Sequence, residues 1–333
     1  MANDFDARLA HQRLKTLVAA HQRRQGGEVS GIAEVDFSLG SAGIVGSSGW
    51  VLVLQSPRQV LGPALLWMNK HRLQSLNVVV ESNADEISRR AKLFALDIGV
   101  WLAVGDELTA ARPAPIEPRV PVPSHHLKFM PLIEQAGATT VCEHGVLAGE
   151  VMGLEVCRVV DDPNSDLGAR LEIGIGVHDR ELFQMVNGDS PTVESLAKVV
   201  QTVVQFRRPN AGAHPLNRLG AERFLREVLI SNPRLVGAHR LTRAEPPTAR
   251  ANLKEPVPCV AVDLSTRPAL VVVCSAVVDP DLVPFAADAR LALLPEAELL
   301  LAVAPSNVFP SMTLLANSLH RPARFVEVNE FRR

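Results

Sequence analysis

Tyrosine is absent from the 333 residues, and aromatic side chains make up only 4% of them. Sites that stack nucleobases or sugars draw on those side chains, so an aromatic platform is not expected as the basis of function. Lysine is scarce too, at six against 28 arginines, an imbalance that fits GC-rich coding as well as selection for guanidinium chemistry. The four cysteines (Cys142, Cys157, Cys259 and Cys274) are far apart and form no C-x-x-C pair. Neither a disulfide framework nor a thiolate zinc site is therefore expected. Cys157 and Cys274 sit in apolar, strand-like runs, where a free thiol behaves as a small core residue.

Other absences narrow the field further. No apolar run approaches the roughly 18 residues needed to cross a bilayer; the longest, 98–104 and 299–304, are strand-sized. Residues 1–24 are charged and lack an apolar centre, so they do not read as a secretory signal. The expectation is a reduced, cytoplasmic protein with no membrane contact. The chain has no G-x-S-x-G elbow and no H-E-x-x-H helix. The glycines at 40, 43, 46 and 49 precede a strand and carry no lysine, so they read as a flexible turn rather than a phosphate cradle. No cofactor is expected, and no metal site. His125-His126 directly follows a proline-rich stretch and reads as a boundary feature.

What is present is ordinary for a folded protein: 47% hydrophobic, 21% charged, with 24 Pro, 21 Gly and a net charge of −2. The length suggests about two domains. Two proline-rich stretches, 111–124 and 244–258, cannot be helices or central strands, because each proline fixes φ and removes a donor. They divide the chain into an N-terminal unit (1–110), a middle module (125–243) and a C-terminal unit (259–333).

The N-terminal unit opens with a helix over 5–22 and weakly patterned strands over 31–37. Strands at 50–54, 76–80 and 98–104 then alternate with helices at 62–71 and 84–94. The C-terminal unit repeats that order, with strands at 270–274, 298–303 and 324–328 and helices at 281–294 and 306–319. Continuous Val/Leu/Ile runs suit parallel strands buried on both faces. The fold class is α/β: two βαβαβ units, a repeat of pattern, packing together around an inserted α+β module. In that module 129–135, 191–206 and 215–230 read as helices, and 139–143, 146–152, 154–160 and 171–177 as strands. Ser190 and Pro191 supply a helix start.

Two constellations could carry catalysis. Glu143, His144, Glu150 and Glu155 fall on hairpin strands, where oxygen ligands could converge on a hard metal ion. The Glu-x-Lys signature of restriction-type nucleases is missing, because Met152, Cys157 and Gly174 stand two residues beyond Glu150, Glu155 and Glu172. The plainer reading leaves Glu150 and Glu172 facing solvent. His178 and Asp179 follow a predicted strand and could form a tuned acid–base pair, or Asp179 could simply cap a helix beginning near Arg180. Ser275 and Asp279 are weaker candidates beyond the strand at 270–274.

The basic tract over 207–255 holds ten basic residues against four glutamates, +6 in a chain of −2, which leaves −8 elsewhere. Arg207, Arg208, His214, Asn217, Arg218, Arg223 and Arg226 are the candidate binding residues for a nucleic acid or another acidic partner. Against this, Arg218, Glu222 and Arg226 at i, i+4 and i+8 suit a solvated ion-pair stripe. The leading expectation is a non-catalytic binding or regulatory protein. The alternatives are a metal-dependent hydrolase or nuclease using the 143–155 cluster, and a structural subunit of a protein complex or homo-oligomer.

Overall fold

Runs of β-branched and leucine residues too long to alternate form the inner strands of two of the three sheets. The computed structural model describes residues 2–26, 31–53, 59–187, 192–208, 215–248 and 257–329. In chain order the elements are α1 (Ala2–Arg24), β1 (Ala33–Val35), β2 (Gly40–Val45), β3 (Ser48–Val53), α2 (Leu61–Lys70), β4 (Ser75–Val80), α3 (Ala84–Ala91), β5 (Asp97–Val104) and β6 (Glu107–Ala110). There follow α4 (Ser124–Leu127), α5 (Met130–Gln135), β7 (Thr139–Glu143), β8 (Val146–Val151), β9 (Leu154–Asp161), β10 (Ala169–Ile173), α6 (Val177–Asn187), α7 (Val193–Phe206) and α8 (Ala221–Ser231). The chain closes with β11 (Thr242–Ala244), β12 (Cys259–Asp263), β13 (Leu270–Ser275), α9 (Leu282–Leu293), β14 (Glu298–Val303), α10 (Pro310–Asn317) and β15 (Ala323–Glu327). The fold is mixed α/β, as the alternation of strand and helix implies.

The chain divides into two units, Met1–Ile116 with Asp279–Asp288 and Phe309–Arg324, and Glu117–Val278 with Ala289–Val308 and Phe325–Arg333. The first holds a six-stranded sheet ordered β1-β2-β3-β4-β5-β6, in which β3, β4 and β5 are parallel and the outer pairings antiparallel. Leu14, Leu17 and Val18 share one face of α1 and pack on Trp50, Leu52, Val79 and Ala103. Within this unit Arg89 and Arg90 clamp Asp288 at 2.8 and 3.1 Å, and the Gly62 N–H donates to Asp281 at 2.7 Å. A Cβ on Gly62 would fall 1.9 Å from the Pro280 carbonyl oxygen, so that approach requires glycine.

The second unit has two sheets. An antiparallel one, ordered β10-β9-β8-β7, is covered by α5 and α7 through Ile133, Leu196, Val200 and Val203. The other, ordered β11-β12-β13-β14-β15, carries α8, whose Phe224, Leu225, Val228 and Leu229 pack on Cys259, Ala261, Val272 and Cys274. Each buried Ile, Phe, Leu or Val side chain among these contributes about 1.5–3 kcal/mol of transfer free energy.

The strands β1–β5 and β11–β15 follow one path: a β-β-β-α-β-α-β sequence laid out in consecutive spatial order. The sequence pattern announces the last three strands of each set. β11 and β12 escape it because β11 has three residues and β12 follows Pro256 and Pro258, which mask the strand signal.

Several local expectations are corrected. The glycines at 40–49 are not a flexible turn; they form the β2–β3 hairpin, with only Gly46, at φ 60°, in the turn. The strand expected over 171–177 ends at Ile173, and Val177 already begins a helix. Ser190 and Pro191 lie outside the described residues; α7 is capped instead by Thr192, whose side chain accepts from the Ser195 N–H at 3.1 Å. The helix expected from residue 306 starts at Pro310, where a first-turn proline is tolerated. Residues 111–123 form neither helix nor strand. Among the described residues no helix is long and apolar enough to cross a membrane.

Candidate functional site

Glu143, opposite Val146 at the turn of the β7–β8 hairpin, and Glu150, opposite Thr139 four register positions along, both turn toward α8. Arg223 bridges them, to Glu143 at 2.5 Å and to Glu150, while Arg226 donates to Glu143 at 2.8 Å and lies 3.6 Å from Glu150. Arg226 also approaches Glu227 at 3.5 Å, and Arg243 binds Glu227 in turn, its Nε at 2.8 Å. Arg226 is 0% exposed and Glu150 1%. Glu150 is thus no solvent-facing strand residue; it is a buried carboxyl group paired with the guanidinium groups of Arg223 and Arg226. Burial works against the Arg226 charge, but Cys259, Glu143 and Glu150 hold its guanidinium above the ordinary arginine range. The β8–β9 turn lets α8 come close: Gly153, at φ 73°, has a Cβ position only 2.5 Å from the Arg223 backbone.

Three arginines and three glutamates balance in this network, so a divalent cation there would have to displace a guanidinium. Glu155, opposite Glu150 in the β8–β9 register, is likewise taken, by Arg158 at 2.7 Å and Arg180 at 3.0 Å. His144 adopts a left-handed turn at φ 52°, and its N–H donates to Glu245 at 2.7 Å. Beside it lies a small polar cleft of about 180 Å³, lined by Thr140, Cys142, Glu143, Arg243 and Glu245 among others. His178 and Asp179 sit in the first turn of α6 rather than at a strand end; the His178 side chain is fully exposed and lies 3.6 Å from Glu181.

The structure sorts the basic tract into an inner and an outer set. Arg207 is 1% exposed; its guanidinium donates to the carbonyls of Met152, Leu216, Leu219 and Gly220 at 2.5–3.0 Å and lies 4.8 Å above the Phe224 ring. Arg223 and Arg226 belong to the network just described. The solvated stripe of Arg218, Glu222 and Arg226 does not exist, because Gly220 at φ 53° ends the 3₁₀ turn Pro215–Arg218 and starts α8 afresh. Glu222 and Arg226 are buried as a result, and Arg218 is exposed. Arg208, Arg234 and Arg240 are exposed as well, and Asn217 is half-buried. His214 lies outside the described residues.

One cluster was not anticipated. His125 Nε2 and His126 Nε2 lie 3.0 and 2.9 Å from the same Asp161 Oδ1, with the two rings edge-on at 4.5 Å. These contacts hold the Asp161 carboxyl below its usual range. The only sequence signal was the His-His dipeptide, since Asp161 is 35 residues away.

These features define a mixed α/β protein with a buried guanidinium–carboxylate network and a set of outward arginines. No protein-family model, no curated protein and no solved structure matches this chain.

Proposed function

We propose that this is a binding or regulatory protein that engages the phosphate backbone of a nucleic acid through the outward arginines of its basic tract, with Arg208 and Arg218 at the centre. One observation carries the reading: both side chains are exposed, and neither has a carboxylate within 4 Å among the described residues. Arg207 ties the end of α7 to residues 216–220, so Arg208 and Arg218 are held at one junction. With so few aromatic residues in the chain, such contact reads phosphate and charge rather than stacked bases.

Fluorescence anisotropy with labelled DNA and RNA at low and physiological salt tests this. Affinity should fall with salt by about 0.7–0.9 log units per log unit for each phosphate contact. Arg208→Glu combined with Arg218→Glu should abolish it. No binding at low salt, or full affinity in the double variant, overturns the proposal.

A role as subunit of a protein complex has a separate observation behind it, the exposed apolar side chains Val177, Leu182 and Met185 on α6. Light scattering of the purified protein, alone and after Leu182→Lys with Met185→Lys, tests whether that face mediates association.

A further inference from the structure

We infer that His125, His126 and Asp161 form a binding site for a first-row divalent transition metal ion of the zinc class. This is independent of the phosphate-binding reading and uses none of its residues. One ligand atom from each residue lies within 4.8 Å of the other two, and both ring nitrogens lie within 3.0 Å of the carboxylate oxygen. Zinc–nitrogen and zinc–oxygen bonds of about 2.0–2.2 Å in a tetrahedron put ligand atoms about 3.3 Å apart. Two of the three separations, at 3.0 and 2.9 Å, are already near that spacing, and the third lies within 4.8 Å.

The donor set selects the class of ion. Two imidazoles and one carboxylate suit zinc, cobalt, nickel or copper, whereas magnesium and calcium want oxygen alone. Three protein ligands with an open side leave a fourth position for water or another ligand. That side faces solvent: the side chains of Asp161 and His125 are 74% and 37% exposed, whereas that of His126 is 7% exposed. His126 Nδ1 is buried without a hydrogen-bond partner, so the polar tether of this ring is its Nε2 edge, aimed into the cluster.

The frame around the site is rigid before any ion arrives. Pro123 precedes α4 and accepts from the N–H groups of His126 and Leu127 at 3.0 and 3.3 Å. Asp161 ends β9 in register with Ala169, and the following turn is closed by the Asp162 N–H on the Gly168 carbonyl and by Ser165 Oγ on the Ala169 carbonyl.

The test uses untagged, chelator-dialysed full-length protein, titrated with Co²⁺ under visible absorption and then with Zn²⁺ in competition. One equivalent of Co²⁺ should give the d–d spectrum of a low-coordinate site, Zn²⁺ should displace it, and excess Mg²⁺ should not. His125→Ala and Asp161→Asn replace exposed side chains, so circular dichroism should be unchanged while affinity drops by at least about tenfold. Absence of a Co²⁺ spectrum, or parental affinity in both variants, overturns the inference.

Discussion

Arg226 on α8 and Glu143 at the end of β7 meet at 2.8 Å with both side chains removed from solvent. The contact joins the four-stranded sheet to the helix that covers the five-stranded one, and it does so with charge rather than apolar area. A buried pair of this kind gains little over a well-packed apolar substitute, but breaking it leaves the survivor uncompensated. Arg226→Leu alone should therefore cost about 3–5 kcal/mol in urea unfolding. Adding Glu143→Leu should cost less than the two single changes combined, because the orphaned carboxylate goes with its partner. Strict additivity would show that the two side chains are not coupled.

A second prediction concerns Asp281. Burial pushes its carboxyl up to about 7, while Arg90, 3.6 Å away, and the Gly62 N–H pull it down. The unfolded chain releases that proton near the ordinary aspartate value of about 3.9. Between these values the native state binds a proton that the unfolded state lacks, so this residue makes stability fall as pH rises through that window. Asp281→Asn keeps an oxygen acceptor for Gly62 and removes the titration. Melting temperature measured from pH 4 to 8 should decline less steeply in the variant; an unchanged slope would refute the assignment.

The inner strands were legible because unbroken runs such as Val78–Val79–Val80 and Val271–Val272–Val273 have one good home, a strand buried on both faces. The direction in which a charged side chain points was not legible. Arg218, Glu222 and Arg226 have the spacing of a surface stripe, and only the left-handed Gly220 breaks the helix between them. Once α8 is rotated by that break, Arg226 lies over Glu143 and Glu150, 76 or more residues away, a pairing no periodicity encodes. The His125–His126–Asp161 cluster was hidden for the same reason. Its members converge through the pairing of α4 with the end of β9, which is a tertiary fact.

Thiol chemistry offers a third check. Cys142 is exposed, whereas Cys157, Cys259 and Cys274 are buried. Burial pushes the Cys157 thiol up to about 12, and Cys274 is also raised, by its contact with Cys259 and by burial. Ellman's reagent should therefore titrate one thiol in the native protein and four in denaturant. Burial and the neighbouring Glu143 raise the Cys142 thiol as well, so its reaction should accelerate with pH above about 8.5. Cys142→Ser should abolish the native signal, and two or more fast thiols would contradict the burial of the others.

The fourth prediction works on acid stability. Asp263 is 0% exposed, and its carboxylate accepts the N–H groups of His239, Arg240 and Ser265 at 2.7, 3.0 and 2.8 Å and the Ser265 hydroxyl at 2.5 Å. It joins the loop before β11 to the turn after β12. Burial opposes the charge, but the hydrogen bonds from Ser265, Arg240 and His239 hold the carboxyl well below the usual carboxylate range. The stabilisation it contributes is present above the unfolded value of about 3.9 and is lost as pH falls below it. Asp263→Ala should cost about 3 kcal/mol or more at pH 7, because charge-assisted bonds are lost and buried donors orphaned. The cost should shrink at pH 3. Asp263 and Asp281 thus oppose each other, one losing its contribution as pH falls below about 3.9 and the other as pH rises from there to about 7, and together they favour greatest stability in mild acid. Urea unfolding of both variants across pH 3 to 8 separates the two contributions; a cost for Asp263→Ala that does not change with pH would show that its role is steric rather than ionic.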